Sequence, residues 1–269
     1  MEGHVDRNSS SSLRRALALL DEVAAATPDG GATLGQLAAS VEVHKSSVLR
    51  LLAPMADAAL VRVDSGRYRL GPRAAQLGAV YLAALDLRAV AHPLLEELVD
   101  ATGETVYLVL PDLPEMVYVD KIDGPGRVRM ASSIGSRQPA HSTGVGKAYL
   151  AFAGDEAVDL VVGHGMPART EQTVTDPRRF RAELCRVRDR GYAVDDVENE
   201  ADIRCVAAPI VDHAGSVTAA LSVAGLATRI TPERYEHLGG LAVRTARAVS
   251  AALGAPDPKI IGALRAEDG

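Results

Sequence analysis

The chain has 269 residues, enough for one or two domains, with 47% hydrophobic residues and a formal net charge of -6. It contains no apolar run of the ~20 residues that a membrane helix needs, and its first residues lack the apolar segment of a signal peptide. Two cysteines, Cys185 and Cys205, form neither a disulfide framework nor a zinc-ligand pattern. These features predict a soluble, cytoplasmic protein without a metal ion or other cofactor.

Positive charge is local in this acidic chain. Residues 44–73 contain six Lys and Arg residues against two Asp and Glu residues. A phosphate backbone responds to local charge, so this segment is the candidate nucleic-acid surface. An ordinary solvated face explains an excess of this size equally well, so charge alone does not decide between the two.

The first 72 residues predict a winged helix-turn-helix domain. A Ser-rich head, residues 1–12, is expected to be disordered, and helical spacing then puts Leu13, Ala16, Leu17 and Leu20 on one stripe. A second helix follows Thr33, and a third begins near His44 after a three-residue turn. Two alternating segments around Asp64-Ser65-Gly66 predict a hairpin.

In such a domain the front of the third helix enters the major groove and the hairpin lies along the DNA backbone or the minor groove. The third helix is expected to bury Val48, Leu51, Leu52 and Met55 and to present its polar front. The predicted DNA-binding residues are His44, Lys45, Ser46, Ser47, Arg50 and Arg67. Pro54 lies inside this helix, and because proline lacks an amide donor, we expect a kink or an early end there.

Residues 73–90 are rich in Ala and Leu and predict one linker helix that contacts a second copy of the chain or packs on its own domain. From residue 91 to 254, helices and strands are interspersed without strict alternation, which predicts an α+β domain around a mostly antiparallel sheet. Strands are expected at 105–110, at 116–122 and in RVRMASS, and GSRQPAHSTGVG is expected to be a loop. Residues 255–269 are expected to form a loose tail.

At this point the residues resemble a known family. GYAVDDVENEADIRCVAAPIVDHAGSVTAALSVAG, Gly191 to Gly225, is similar to the signature of IclR-type transcriptional regulators, and HKSSVLRLL and QPAHSTGVGKAYL resemble the family's recognition helix and effector loop. The resemblance covers about residues 13–253. It implies a winged helix, a linker helix and a C-terminal effector domain related to GAF and PAS folds, acting as a dimer or dimer of dimers on palindromic operator DNA.

The resemblance also implies a pocket for a small organic effector. Carried over by position, its residues are Met130, Ala140, His141, Ser142, Thr143, Gly144, Asp195, Cys205, Ser222 and Ala224. Strand spacing supports part of this set, because Ser222 and Ala224 share a face. Free amides at the start of the helix after HSTGVGK suit a carboxylate.

Besides Pro54, three positions depart from the family pattern. Ala59 and Asp202 stand where glycine is usual, and Ala224 stands where serine is frequent. The missing hydroxyl at position 224 favours an aromatic or larger organic acid or amide over a two-carbon acid.

Three other functions are compatible with parts of the sequence: a hydrolase, a phosphate-binding loop, and a winged helix that binds protein and never touches DNA. A Cys or Ser hydrolase would use Cys205 or Ser142 with His141 or His213 as base, although nothing in the sequence brings such a pair together. The run Gly144 to Lys147 lacks the first glycine and the Ser or Thr of a phosphate-binding loop. The sequence therefore predicts a regulator without catalytic residues that binds DNA, an effector and itself, and no membrane.

Overall fold

The computed structural model describes residues 11–83, 86–126 and 130–256, which form two compact units that divide near residue 85. Most of the predicted disordered head and loose tail lies outside these residues. The fold class is confirmed: a helix-turn-helix unit with a hairpin precedes an α+β unit.

The first unit has the predicted order of elements. Its helices and strands are α1 (Ser11–Ala26), β1 (Ala32–Thr33), α2 (Leu34–Ser40), α3 (Lys45–Asp57), β2 (Val61–Asp64), β3 (Arg67–Leu70) and α4 (Pro72–Ala83). The β2–β3 hairpin pairs with β1 through β3, in the order β1-β3-β2. Thr33 caps α2 in a capping box with Gln36, which fixes the start of the turn.

The predicted buried stripe of α1 is confirmed for Ala16 and Leu20, which pack against the core, and is wrong for Leu13 and Leu17. Leu19 and Val23 are fully buried, whereas Leu13 and Leu17 are 57% and 52% exposed. The helix carries apolar residues on two stripes, and the later stripe packs against Val48 and Leu52 of the core. Leu13 and Leu17 remain available for another contact.

Pro54 does not end α3, although an early end of the helix was one of the two expected effects of this proline. The helix continues to Asp57, and the amide of Ala58 donates to the carbonyl of Pro54 at 3.0 Å. Pro54 is exposed, so water can hydrogen-bond to the Arg50 carbonyl that loses its usual amide donor. The lost backbone hydrogen bond costs least on the side of the helix that faces solvent.

A strained residue ends α3. Ala59 has a φ of 57°, in the left-handed region that favours glycine. The amides of Ala59 and Leu60 donate to the carbonyls of Ala56 and Met55, both at 2.9 Å, which completes a Schellman motif. Gly71 packs against the backbone of Ala59 so closely that a Cβ would not fit.

The second unit is a six-stranded sheet covered by helices on both faces. Its elements are α5 (Leu87–Thr102), β4 (Thr105–Asp112), β5 (Glu115–Ile122), β6 (Arg137–Pro139), α6 (Gly144–Leu150), α7 (Asp155–His164), α8 (Pro177–Arg190), β7 (Ala193–Asp196), β8 (Ile203–Val211), β9 (Val217–Leu226) and α9 (Tyr235–Ala252), preceded by a 3-10 turn at Pro232–Arg234. The strand order is β6-β5-β4-β9-β8-β7, and every recorded pair is antiparallel.

Strand alternation separates two cores. Val106 and Leu108 of β4 face α5 and α9, whereas Tyr107 and Val109 face the side that carries α6, α7 and α8. The candidate pocket lies on this second face. The face covered by α6 therefore contains the candidate pocket, and the face covered by α5 and α9 is an apolar core.

Three predicted elements of this region differ from the structure. In place of one linker helix over 73–90, α4 ends at Ala83 and α5 begins at Leu87 with Asp86 as its N-cap. The predicted strand RVRMASS lies partly outside the described residues, and its described part, 130–133, is not a strand. The edge strand is instead β6, inside the predicted loop, and α7 was not predicted at all.

We expect Ala59→Gly to stabilise the protein by about 0.5–1 kcal/mol. Replacing an L-residue by glycine in the left-handed region stabilises the folded state by roughly 1–2 kcal/mol. The greater conformational entropy of glycine in the unfolded chain cancels part of this gain. The measurement is urea unfolding. The matched control is Ala58→Gly, at φ -80°, which should destabilise the protein; a gain there equal to that at Ala59 would contradict the explanation.

Candidate functional site

The front of α3 presents a polar surface with one apolar residue. Lys45, Ser46 and Arg50 are exposed, and Leu49 between them is 46% exposed. Val48 and Leu52 anchor the opposite side of the helix in the core. Leu49 was missed from the sequence because its apolar side chain was not distinguished from the buried stripe; an exposed leucine here suits a thymine methyl group.

His44 begins the helix. Its Nδ1 accepts a hydrogen bond from the Ser46 amide at 3.3 Å and lies 2.8 Å from the Ser46 hydroxyl. His44 is therefore the N-cap of α3 as well as a predicted DNA-binding residue. Ser47 is half-buried, and its amide bonds the His44 carbonyl at 2.9 Å.

Arg67 is partly committed to the fold. Its Nη1 donates to the carbonyl of Gly31 at 2.8 Å, which ties the turn end of the hairpin to the segment before β1. Arg62 on β2 is exposed and lies on the same hairpin. The hairpin thus offers a second arginine that the sequence prediction did not include.

The predicted effector residues on three strands lie in one row across the sheet. Register places Asp195 of β7 opposite Cys205 of β8, and Cys205 opposite Ala224 of β9. Ser222 lies opposite Tyr107 of β4 in the next row. Residues from sequence positions more than a hundred apart therefore line one pocket.

The pocket wall is aromatic. Tyr107 and Tyr118 pack edge to face with ring centroids 4.9 Å apart, and with Met130, Val145 and Ile203 they enclose a cavity of about 30 Å³. Both tyrosines were missed from the sequence, although alternation along β4 and β5 could have placed them on this face. A second cavity of about 160 Å³ shares Met130 and Ala224 with the first.

The effector loop is held mostly by its own hydrogen bonds. Thr143 caps α6, accepting from the Gly146 amide at 3.2 Å and donating to the Pro139 carbonyl at 2.8 Å. Ser142 donates to Asn199 at 2.9 Å, and Ala140 packs beneath the loop. A Cβ on Gly144 would lie 2.5 Å from the sulfur of Cys205, so the loop and β8 are in direct contact.

One amide at the start of α6 is used within the loop, because the Gly146 amide donates to the Thr143 hydroxyl oxygen at 3.2 Å. With only seven residues, α6 is too short for a strong dipole. A carboxylate held by the other amides of this helix start stays a prediction.

A buried ion pair lies beneath the loop. The Nζ of Lys147 bonds Oε1 of Glu198, and both side chains are buried. Oε2 of Glu198 has no hydrogen-bond partner among the described residues. The Thr170 hydroxyl donates to the Val197 carbonyl, and the Thr173 hydroxyl donates to the Glu198 carbonyl. Val197 has a φ of 61°, which is unusual for a β-branched residue.

Asp195 adds a second carboxyl group to this buried cluster. Its Oδ1 accepts from the amides of Glu198 and Asn199 at 2.8 and 3.3 Å. Burial raises the pKa of Asp195 to about 7, although the charge of Lys147 and the two amide bonds oppose the shift. This carboxyl group therefore changes its charge near neutral pH.

The arrangement does not assemble the hydrolase considered from the sequence. Burial raises the pKa of the Cys205 thiol far above its ordinary value, which disfavours a thiolate. Ser142 bonds Asn199, and Nε2 of His141 bonds the Pro167 carbonyl at 3.1 Å, so the two adjacent side chains have other partners. Burial also lowers the pKa of His141. His213 is exposed in a turn.

Metal and membrane sites are not found in the described ranges. Within 11–83, 86–126 and 130–256, no group of three or more His, Cys, Asp or Glu side chains could hold a metal ion. No helix in those ranges is long and apolar enough to span a bilayer.

Two family models match the chain. Residues 12–65 match the IclR helix-turn-helix domain, and residues 79–251 match the C-terminal domain of bacterial IclR transcriptional regulators. Transcriptional repressor IclR of Escherichia coli is 34% identical over 248 residues, 90% of each chain. HTH-type transcriptional repressor AllR of Klebsiella pneumoniae is 32% identical over 251 residues, 92% of each.

Solved structures give the same result. Repressor BlcR of Agobacterium tumefaciens has a TM-score of 0.79 at 28% identity, over 93% of this chain and 100% of that one. IclR of Thermotoga maritima has a TM-score of 0.61 at 32% identity, over 91% and 100%.

We expect Asp195→Asn to raise the melting temperature at pH 8, with a smaller gain at pH 5. The folded pKa lies above the unfolded value, so the carboxyl group stabilises the fold most below about pH 4 and loses this contribution as pH rises to 7. Asparagine keeps an oxygen for the two amides and carries no charge. Thermal unfolding at both pH values is the measurement.

Asp196→Asn is the matched control. Asp196 is exposed and pairs with Arg204 at 2.6 Å, so its loss should give no gain at either pH. An Asp195→Asn gain that is larger at pH 5 than at pH 8 would contradict the assigned cause.

Proposed function

This chain belongs to the IclR family of bacterial transcriptional regulators, and from that membership we propose that it represses catabolic genes in response to a small organic effector. The winged helix reads a palindromic operator, and effector binding in the second unit changes operator affinity or assembly. The exposed polar front of α3 is the observation that supports operator binding. The named repressor relatives support the proposed repression, and binding to operator DNA agrees with the proposed cytoplasmic location.

DNA recognition rests on α3 and the hairpin. Lys45, Ser46 and Arg50 face solvent on consecutive turns, where they suit base edges and phosphates. His44 and Ser47 hold the start of the helix, and Arg67 with Arg62 gives the hairpin positive charge. The core residues Val48 and Leu52 keep the reading face rigid.

A palindromic operator needs two copies of the reading helix. The first unit exposes apolar side chains on two helices: Leu13 and Leu17 on α1, and Leu77, Val80 and Tyr81 on α4, each at least half exposed. The α4 residues have the spacing of one helix face. We propose that these two faces contact a second copy, in a dimer or a dimer of dimers.

The effector is proposed to be an organic acid or amide. Asn199, Ser222, Thr143 and Asp195 supply hydrogen-bonding groups, and Tyr107 has a buried hydroxyl without a hydrogen bond of ordinary geometry in the described part of the chain. The 30 Å³ cavity is smaller than an aromatic ring. Because it adjoins the second cavity at Met130 and Ala224, a shift of Met130 would join the two and admit a larger molecule.

Arg50→Ala should weaken operator binding by about 1–3 kcal/mol if this residue contacts a base. The measurement is fluorescence anisotropy with operator duplex at several salt concentrations. Arg247→Ala, an exposed arginine on α9, is the matched control and should leave affinity unchanged. Equal affinities for wild type and Arg50→Ala would exclude the assigned role of α3.

Ala224→Leu should weaken effector binding at least tenfold and spare operator binding. A leucine fills the space that the two cavities share. Organic acids and amides that raise the melting temperature of the full-length wild type are tested by calorimetry, and their affinity should fall at least tenfold. Ala182→Leu, at an exposed position of α8, is the control. A ligand that binds Ala224→Leu as tightly as wild type occupies another site.

A further inference from the structure

Leu49 is the large apolar residue of α3 that the core does not hold. Val48, Leu52 and Met55 are buried, and Leu51 packs against the same core. Leu49 lies outside that cluster and is 46% exposed. Single exposed leucines are ordinary on protein surfaces, so this exposure becomes informative only through the residues around it.

The neighbours of Leu49 on the helix surface are polar and cationic residues predicted to bind DNA. Residues four apart lie on one row of a helix, so Lys45, Leu49 and Ala53 follow one another along α3, and Ser46 and Arg50 form the adjoining row. All five are exposed. Leu49 therefore lies beside two cationic side chains on the solvent-exposed side of the helix.

The charge of this region favours DNA over a protein as the molecule that covers Leu49. Residues 44–73 contain six Lys and Arg residues against two Asp and Glu residues, and the segment belongs to a helix-turn-helix domain. Phosphates attract such a surface, and the front of the second helix of the motif then enters the major groove. Leu49, in the second turn of α3, enters the groove together with Lys45 and Arg50.

The major groove offers a leucine one methyl group. The edges of the four bases expose hydrogen-bond donors and acceptors there, and thymine adds its 5-methyl group. A leucine pressed against a donor or an acceptor would remove water from that group without replacing the hydrogen bond. Contact with the methyl group instead removes apolar surface of both partners from water.

We propose that Leu49 reads one thymine in each operator half-site through contact with the 5-methyl group of that base. Arg50 and Ser46 supply hydrogen bonds to phosphates or base edges, and Leu49 supplies a preference that hydrogen bonds do not give. This inference deepens the proposed reading of the operator by α3 and rests on it.

The test removes the methyl group from the DNA. A binding duplex is first selected from a random library with the full-length wild-type protein. Each thymine is then replaced, in both half-sites at once, by deoxyuridine, which differs only in the missing methyl group. At one position this should weaken wild-type binding by about 3- to 10-fold per half-site in fluorescence anisotropy, as expected for one lost methyl contact.

Leu49→Ala separates the methyl contact from an effect of deoxyuridine on the shape of the duplex. In this variant the same replacement should change affinity less than about twofold, because the contact is already lost. A selection repeated with the variant should show no preference for thymine at that position. Leu160→Ala, at a residue of α7 that is 49% exposed, is the matched control and should keep the full sensitivity to deoxyuridine.

Equal sensitivity of wild type and Leu49→Ala to deoxyuridine would overturn the inference and leave the reading of the operator by α3 standing. Wild-type binding that tolerates deoxyuridine at every position would do the same, and this measurement depends on no variant. A smaller assembly of Leu49→Ala in sedimentation, together with that tolerance, would assign the residue to a contact between copies of the chain. Failure to select any duplex would overturn both the inference and the proposed operator recognition.

Discussion

The second unit depends on burying a lysine beneath its pocket. Lys147 is fully enclosed, and its ammonium group pairs with the carboxylate of Glu198, because an isolated ammonium group in this core would cost several kcal/mol. Glu198 in turn must stay where it is, which explains why Thr170 and Thr173 hold its turn and why Val197 accepts a left-handed backbone. The Lys147–Glu198 ion pair therefore helps to hold the loop that follows Asp195 and the end of β7.

The sheet supplies the other constraint. Antiparallel pairing puts β7, β8 and β9 side by side, so that one residue from each strand faces α6 at the same height. A shift of one residue in register would turn Asp195, Cys205 or Ala224 to the apolar face of α5 and α9. The pocket thus follows from the same pairing that builds the core.

Much of this architecture was predictable from local patterns. The caps at Thr33 and Asp176, the glycine after α5 and the hairpin at Ser65-Gly66 mark elements where the structure has them. The missed features have physical reasons. α7 buries only Val158 and Val161, so its helical period is weak, and α1 has two apolar stripes that propensity cannot rank.

The candidate site was less accessible to sequence reasoning. Lys147 and Glu198 are 51 residues apart, and neither has a local signal that it will be buried with the other. Tyr107 and Tyr118 follow the alternation of their strands, but their shared face became informative only once β4 was known to lie beside β9. The family resemblance predicted the polar residues of the pocket. The pairing of Lys147 with Glu198 became visible only in the three-dimensional contacts.

The close approach of Gly144 to Cys205 has a consequence for how this protein can vary. A methyl group at position 144 would occupy the space of the sulfur, so any side chain there requires a smaller residue at position 205. A side chain at position 144 alone would disturb α6 or β8. The two positions should therefore drift together among related chains, as a coupled pair separated by 60 residues of otherwise independent sequence.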